Sequence, residues 1–212
     1  MENTQSHKVL GLTIDENLTW TEHCNNVCKK IKSKLFLLRK LKTLLPKAAR
    51  LQFYNSFILP HFDYCSNVWL SGKLANLRAL ELLHKRAMRL ILGVPARTPS
   101  KELYFKMNWM SLEYRSHYTS AILVYKCLHD LTPSYLNFFH FTSGRTRAAA
   151  RNDLIIPSAK KLVLKNSFCV QGAKTFNSLP STIRNLPRLK VFKGACFKHF
   201  MSSFSSFLSS LS

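Results

Sequence analysis

The sequence predicts a mainly α-helical chain: an irregular helical bundle with one short N-terminal strand, a basic loop and a helical C-terminal region. Three observations lead there. Long segments repeat apolar residues at spacings of three and four and stop at Gly or Pro. One stretch alone, Val9 to Ile14, has the alternating, β-branched character of a strand. Lys and Arg number 32 against 10 Asp and Glu, a formal net charge of +22. The charge concerns partners rather than fold, and the expected partner is a polyanion.

In order, Val9-Leu10-Gly11-Leu12-Thr13-Ile14 reads as the strand and Asp15-Glu16-Asn17 as the turn that ends it. A strand needs a neighbour for its ladder hydrogen bonds. The eight residues before Val9 are largely polar and no second strand pattern follows, so its partner strands are expected to be absent. A helix follows over about Thr21 to Leu45, with Thr19 or Thr21 as N-cap. Val27, Ile31, Leu35, Leu38 and Leu45 make its buried stripe, widened by Leu37, Leu41 and Leu44. The opposite face is cationic: Lys29, Lys30, Lys32, Lys34, Arg39, Lys40 and Lys42 occur with no carboxylate among them, and Lys47 and Arg50 follow. A merely solvated helix would mix signs to gain i to i+4 pairs of about 0.2–0.5 kcal/mol each, whereas like charges repel. These cations therefore read as a contact surface for phosphate.

Pro46 suits a helix start, and Leu51, Tyr54, Phe57 and Ile58 continue an apolar face until Pro60 breaks or kinks it. Phe62, Cys65 and Trp69 then fall at helical spacing. His61 and Asp63 invite a catalytic reading, but residues two apart on a helix do not face each other, so a structural role is expected. Ser71-Gly72 ends this element. Leu74 to Leu92 is the next amphipathic helix, with Leu77, Leu80, Leu83, Ala87, Leu90 and Ile91 inward and Gly93 and Pro95 as its stop. Lys85, Arg86 and Arg89 near its end complement the helix dipole. A short helix from Ser100 precedes a longer one over Leu112 to His129, capped by Ser111, whose Tyr114, Ala121, Val124 and Tyr125 place it centrally and whose His117 reads as a core or boundary residue.

Beyond Leu131 the composition shifts. Twelve cations follow with Asp153 as the sole carboxylate, beginning with Arg145, Arg147 and Arg151 in a stretch, SGRTRAAARNDLIIP, that has neither helical nor strand period. It reads as a basic loop, either an exposed linker or an arm ordered on binding nucleic acid. Helices are expected around Leu164 to Asn177 and from about Leu189, and the serine-rich tail, with Phe197, Phe200, Phe204, Phe207, Leu208 and Leu211, reads as a packing helix.

Several chemistries lack a residue basis. His23, Cys24 and Cys28 cluster within about a turn, yet a tetrahedral metal site needs two ligands beyond the Cys pair and no later pair has ligand spacing, so no metal or cofactor is expected. There is no glycine-rich phosphate loop, nucleophile elbow or HExxH. Met1 is followed by polar residues and no run of about 18 uncharged apolar residues occurs, which predicts no leader and no membrane-spanning helix. The six cysteines read as reduced, buried thiols of an intracellular protein.

VLGLTIDENLTWTEH, KKIKSKLFLLRKLKTLL, FILPHFDYCSNVW, ELLHKRAMRLILG, RTRAAARNDLIIP and AKTFNSLPSTIRNLPRLKVFK, in that order, resemble the C-terminal portion of a non-LTR retrotransposon (LINE-like) reverse transcriptase. The resemblance implies that residues 1–20 are a remnant of the palm–thumb connection, 21–140 a helical thumb-like domain and 141–212 a basic C-terminal region. It places Leu10-Gly11 in the strand that links palm and thumb, and Lys29 to Lys42 on a thumb helix facing primer-template. The family's Tyr-x-Asp-Asp motif would lie upstream of Met1, as would its earlier catalytic aspartate. Phe176 stands where members usually carry Trp. The implied protein is a reverse transcriptase C-terminal fragment, catalytically inactive alone and nuclear if it behaves like its relatives. It would bind RNA or DNA backbone nonspecifically through Lys29, Lys30, Lys32, Lys34, Arg39, Lys40, Lys42, Arg145, Arg147 and Arg151, and its palm domain would be a missing partner. The residues leave three alternatives open: an independent basic helical adaptor, a small zinc-binding module or, last, a free-standing enzyme whose carboxylates or histidines gather only in three dimensions.

Overall fold

A computed structural model describes residues 6–70 and 74–210. The chain divides into two compact units, Met1–Leu112 and Glu113–Ser212. Both are helical, and the first opens with a two-stranded antiparallel sheet.

The sheet corrects the reading of Val9–Ile14 as one unpartnered strand. β1 (Ser6–Val9) pairs with β2 (Leu12–Asp15), Val9 opposite Leu12 and Ser6 opposite Asp15. Leu10 and Gly11 form the turn rather than a strand interior. Both have positive φ, 47° and 83°, as in the type I′ turns that join two-residue hairpins. Leu10 disguises the turn, because Asn is the favoured residue at its position. Its side chain is 85 % exposed, so it accepts left-handed strain without burying anything. Leu10→Asn is expected to raise stability by about 0.5–1 kcal/mol, read as a higher urea midpoint; a lower midpoint would show that Leu10 packs in a way its exposure denies.

β2 leads into α1 (Thr21–Leu41) through a loop that Asp15 organises. Its carboxylate accepts the Thr19 and Trp20 backbone N–H groups, each at 2.9 Å, and the Thr19 hydroxyl at 3.1 Å. Burial alone would raise the Asp15 pKa, but these hydrogen bonds to the charged form hold it below its ordinary value. Trp20, in the left-handed region, occupies the N-cap position expected for Thr19 or Thr21, and no side chain caps the helix from there.

α1 buries Cys24, Val27, Cys28, Ile31, Leu35 and Leu38. It stops at Leu41 rather than Leu45, and a turn carries the chain to Pro46, the N-cap of α2 (Lys47–Phe53). Leu37 and Leu44, expected to widen the buried stripe, are 45 % and 77 % exposed. At about 100° per residue, Leu37 points well away from the line through Ile31, Leu35 and Leu38, and Leu44 lies past the helix end.

From α2 the helical path continues through a π-turn (Tyr54–Ile58) into α3 (Leu59–Asp63). The i to i+5 bond from Leu59 N–H to the Tyr54 carbonyl widens the helix just ahead of Pro60, the residue that would clash with a regular turn. Tyr54 and Ile58 remain inward, while Phe57 turns outward against Phe53. Cys65 is exposed in the left-handed region, not part of a continuous inward face, and α4 (Ser66–Trp69) starts after it. Trp69 is buried, its indole N–H donating to the Tyr64 carbonyl at 2.7 Å. The Ser71-Gly72 break lies outside the described residues.

α5 (Leu74–Leu92) has the bounds its pattern predicts. Leu80, Leu83, Ala87 and Ile91 join α1, Tyr54, Ile58 and Phe62 in one core. Gly93, at φ 75°, ends it, its N–H reaching the Arg89 carbonyl at 2.9 Å. Arg50 spans across to donate to the Leu90 carbonyl at 2.8 Å, so one cation of the second basic run caps α5. α6 (Ser100–Met107) closes the unit: the buried Tyr104 hydroxyl donates to Glu81, whose other oxygen accepts the Leu112 N–H at 2.8 Å.

The second unit is built on α7 (Leu112–Leu128), of which all but the first residue belongs to it. Ala121, Val124 and Tyr125 are buried, and Tyr125 stacks on Phe192 with centroids 4.2 Å apart. A 3-10 turn (Ser134–Leu136) leads to a loop holding α8 (Arg147–Ala150). α9 (Leu162–Lys165) and α10 (Phe168–Asn177) divide what reads in sequence as one helix, α11 (Ser181–Arg184) is a single turn, and α12 (Leu189–Ser210) runs through the serine-rich tail. Phe192, Cys196, Phe200, Phe204 and Leu208, four apart throughout, are the buried stripe of α12. Phe176 is buried and packs beside Phe192. Leu211 lies outside the described residues.

Candidate nucleic-acid interface

The cations of α1 stand on the side that the core rejects. Lys29, Lys30, Lys32, Arg39 and Lys40 are exposed, and Lys34 and Lys42 half-buried. Among the described residues none of them forms an ion pair with a carboxylate. The face has two flanks. On one, Lys30 and Lys34 lie close enough to α3 to act on His61, whose pKa is lowered first by burial and then by these two charges. On the other, Lys29, Lys32, Arg39 and Lys40 surround Phe36, which sequence reasoning left unassigned. Phe36 is 62 % exposed, and the Lys40 ammonium sits 5.5 Å from its ring centroid. The pattern held the signal, since Phe36 is four residues from both Lys32 and Lys40, on the same helical stripe. Lys42, just past the helix, lies with Arg50 beside Gly93.

Arg145, Arg147 and Arg151 are all exposed and lie in the second unit. Their loop is tied at its base. Phe141 and Leu154 pair across its base, Thr142 N–H donates to the Asp153 carbonyl at 2.8 Å, and Asn177 brackets Leu154 with two hydrogen bonds of 2.8 and 2.9 Å. Arg151 is partly committed, since its guanidinium donates to Asp153 at 2.7 and 3.1 Å. The opposite oxygen of Asp153 takes Arg184 at 3.0 Å, and Arg184 also donates to the carbonyls of Asn152 and Arg151. Arg184 escaped notice in the sequence; the cue was that a lone carboxylate among twelve cations needs a buried partner. A cleft of about 770 Å³ opens beside this network, but two of the three nitrogens of the Arg184 guanidinium on its wall are spent on the loop.

The other residues weighed for chemistry are all buried or half-buried. His23 is buried, its Nδ1 accepting the Thr13 N–H at 3.3 Å, and burial lowers its pKa, as does Lys30. Burial pushes the Cys24 thiol up to about 12 and raises Cys28 as well. His61 and Asp63 both lie on α3, two residues apart. His117 is half-buried, its pKa lowered by burial. Among the described residues no group of three or more His, Cys, Asp or Glu gathers to hold a metal ion, and no helix is long and apolar enough to cross a membrane.

Fold and surface thus define a basic, mainly helical protein with a run of exposed cations along one helix. Over 94 residues it is 26 % identical to the RNA-directed DNA polymerase from mobile element jockey of Drosophila melanogaster. The matched stretch is 43 % of this chain and 10 % of that protein, so the chain spans a small part of its relative's length and the relationship to reverse transcriptase proteins is distant and partial. No family model matches the chain, and no solved structure matches it.

Proposed function

We propose that the chain corresponds to the thumb and post-thumb portion of a non-LTR reverse transcriptase, and that its role is to hold the phosphate backbone of RNA or DNA without reading base sequence. The observation that carries the reading is the α1 face: seven cations in and just after one helix, none neutralised by a carboxylate among the described residues. An array of unpaired cations repels itself, and a polyanion relieves the repulsion while releasing its own counterions. Phosphate contacts of this kind position a nucleic acid and carry no sequence information. Arg145 and Arg147 supply a second set of contacts from the loop of the other unit. The distant likeness to a mobile-element polymerase supports the assignment, with the hairpin and α1 at the place where palm passes into thumb. No step of nucleotidyl transfer is assigned to this chain, and the palm is its expected partner.

The test is binding of the purified chain to an RNA–DNA hybrid, to duplex DNA and to an acidic protein, each at two salt concentrations. Preference for nucleic acid with a steep salt dependence is expected. Equal binding to the acidic protein would reduce the face to an unspecialised polycation, and primer extension by the chain alone would overturn its non-catalytic role.

A further inference from the structure

Phe36 gives the cationic face a component that phosphate cannot use. At about 100° per residue its ring falls between Lys29 and Lys32, with Arg39 and Lys40 one turn further on, and with 62 % of its surface exposed it has no place in the core. A single exposed apolar residue is ordinary on any surface. This one has Lys29, Lys32, Arg39 and Lys40 at helical spacing around it, and the Lys40 ammonium is drawn to its ring at 5.5 Å. Cations that track a backbone, interleaved with an aromatic ring that can meet a base, are the two components of single-strand recognition.

Resting on the reading of α1 as a phosphate-binding face, we propose that Phe36 stacks on an unpaired base, so that the preferred ligand is single-stranded RNA or DNA rather than a fully paired duplex. In a duplex every base face is already covered by its neighbours, and the helix meets only sugar and phosphate. Phe36 would then displace phosphate hydration and gain nothing. On a single strand the same phosphates are offered together with free π-faces. Stacking of this kind tolerates any base, so no base preference is expected. Lys29 to Lys40 spans roughly 16 Å along the helix, enough for cations to hold phosphates on both sides of the stacked nucleotide.

The experiment compares the whole chain with Phe36→Ala and Phe36→Trp on three ligands of equal length at fixed salt: a single-stranded oligonucleotide, its blunt duplex, and the single strand with abasic sites throughout. Phe36→Ala is expected to weaken single-strand binding about tenfold, to change duplex binding less than about twofold and to leave the salt slope unchanged. Phe36→Trp should bind the single strand at least as well as the parent. The abasic strand should bind the parent as weakly as the intact strand binds Phe36→Ala. Equal losses on single strand and duplex, or no loss on either, would overturn the stacking role while leaving the cationic face intact. Failure of the unsubstituted chain to bind any of the three would instead bring down the backbone-binding reading, and the stacking role with it. Preference for an acidic protein over all three would assign Phe36 to a protein contact and overturn it likewise. Because the ring is exposed, Phe36→Ala should keep the parent's helical circular dichroism.

Discussion

Replacing Arg184 with Met is expected to destabilise the second unit by about 2–3 kcal/mol, because the buried Asp153 carboxylate then keeps only the exposed Arg151 as its ion-pair partner. The Arg184 side chain is 5 % exposed and Asp153 is also buried. One guanidinium holds the Asn152 carbonyl, the Asp153 carboxylate and the Arg151 carbonyl, so its loss leaves a carboxylate and two carbonyls short of donors. Arg151→Ala should cost about 1 kcal/mol or less, because its side chain is 67 % exposed and water replaces it. Arg184→Met combined with Asp153→Leu should recover part of the loss, since the pair then leaves no unpaired charge. Hydrogen exchange at the Thr142 and Ile155 amides, which close the base of the loop, reads the effect directly. Trp20, Trp69 and Trp109 all lie in the first unit, so tryptophan fluorescence serves as the internal control. A loss below about 1 kcal/mol would show that the network is solvated in solution.

The same carboxylate sets an acid limit. Burial alone would raise the Asp153 pKa, but hydrogen bonds and charge from Arg151 and Arg184 hold it below its ordinary value. A carboxyl with a depressed folded pKa contributes stability that is present above its unfolded value and lost as pH falls through the folded one. The loop of the parent chain should therefore loosen below about pH 4.

What the sequence made legible follows from what its signals measure. Apolar periodicity reports burial, and where burial alone decides the structure the reading was close: α5 runs from Leu74 to Leu92 as its pattern predicts. Where backbone geometry or a distant partner decides, periodicity fails. The hairpin was hidden because Leu10 occupies a left-handed turn position normally marked by Asn, and because β1 is polar and only four residues long. The outward turn of Phe57 follows from a π-turn ahead of Pro60, which adds a residue that a regular 3.6-residue wheel does not count. Leu37 was counted inward for being apolar, although its angle on α1 places it outside. The Arg184–Asp153 pair spans 31 residues and has no local signature. The exposure of most α1 cations, by contrast, was readable, since charge along a helix needs no partner to be seen. What sequence could not supply was the division of that face into a flank toward α3 and a flank around Phe36.

That division decides the expected outcome of neutralising the face. Changing Lys29, Lys30, Lys32 and Lys34 together to Gln should reduce the salt slope of duplex DNA binding by about 2 to 4, since each phosphate contact contributes roughly 0.9. The lower figure applies if only the outward flank touches nucleic acid. The two pairs separate the cases. Lys29→Gln with Lys32→Gln removes charges beside Phe36, and should account for most of the change. Lys30→Gln with Lys34→Gln removes charges near α3, where they act on His61, and should change binding less. Stability should move the other way from affinity, because relieving repulsion between like charges on one helix favours the fold by a few tenths of a kcal/mol per pair. A face maintained for packing would lose stability along with binding, and a face maintained only for solubility would lose neither. Lower affinity with unchanged or higher stability is the outcome that belongs to a binding surface, and an unchanged salt slope in the four-fold variant would remove α1 from the interface.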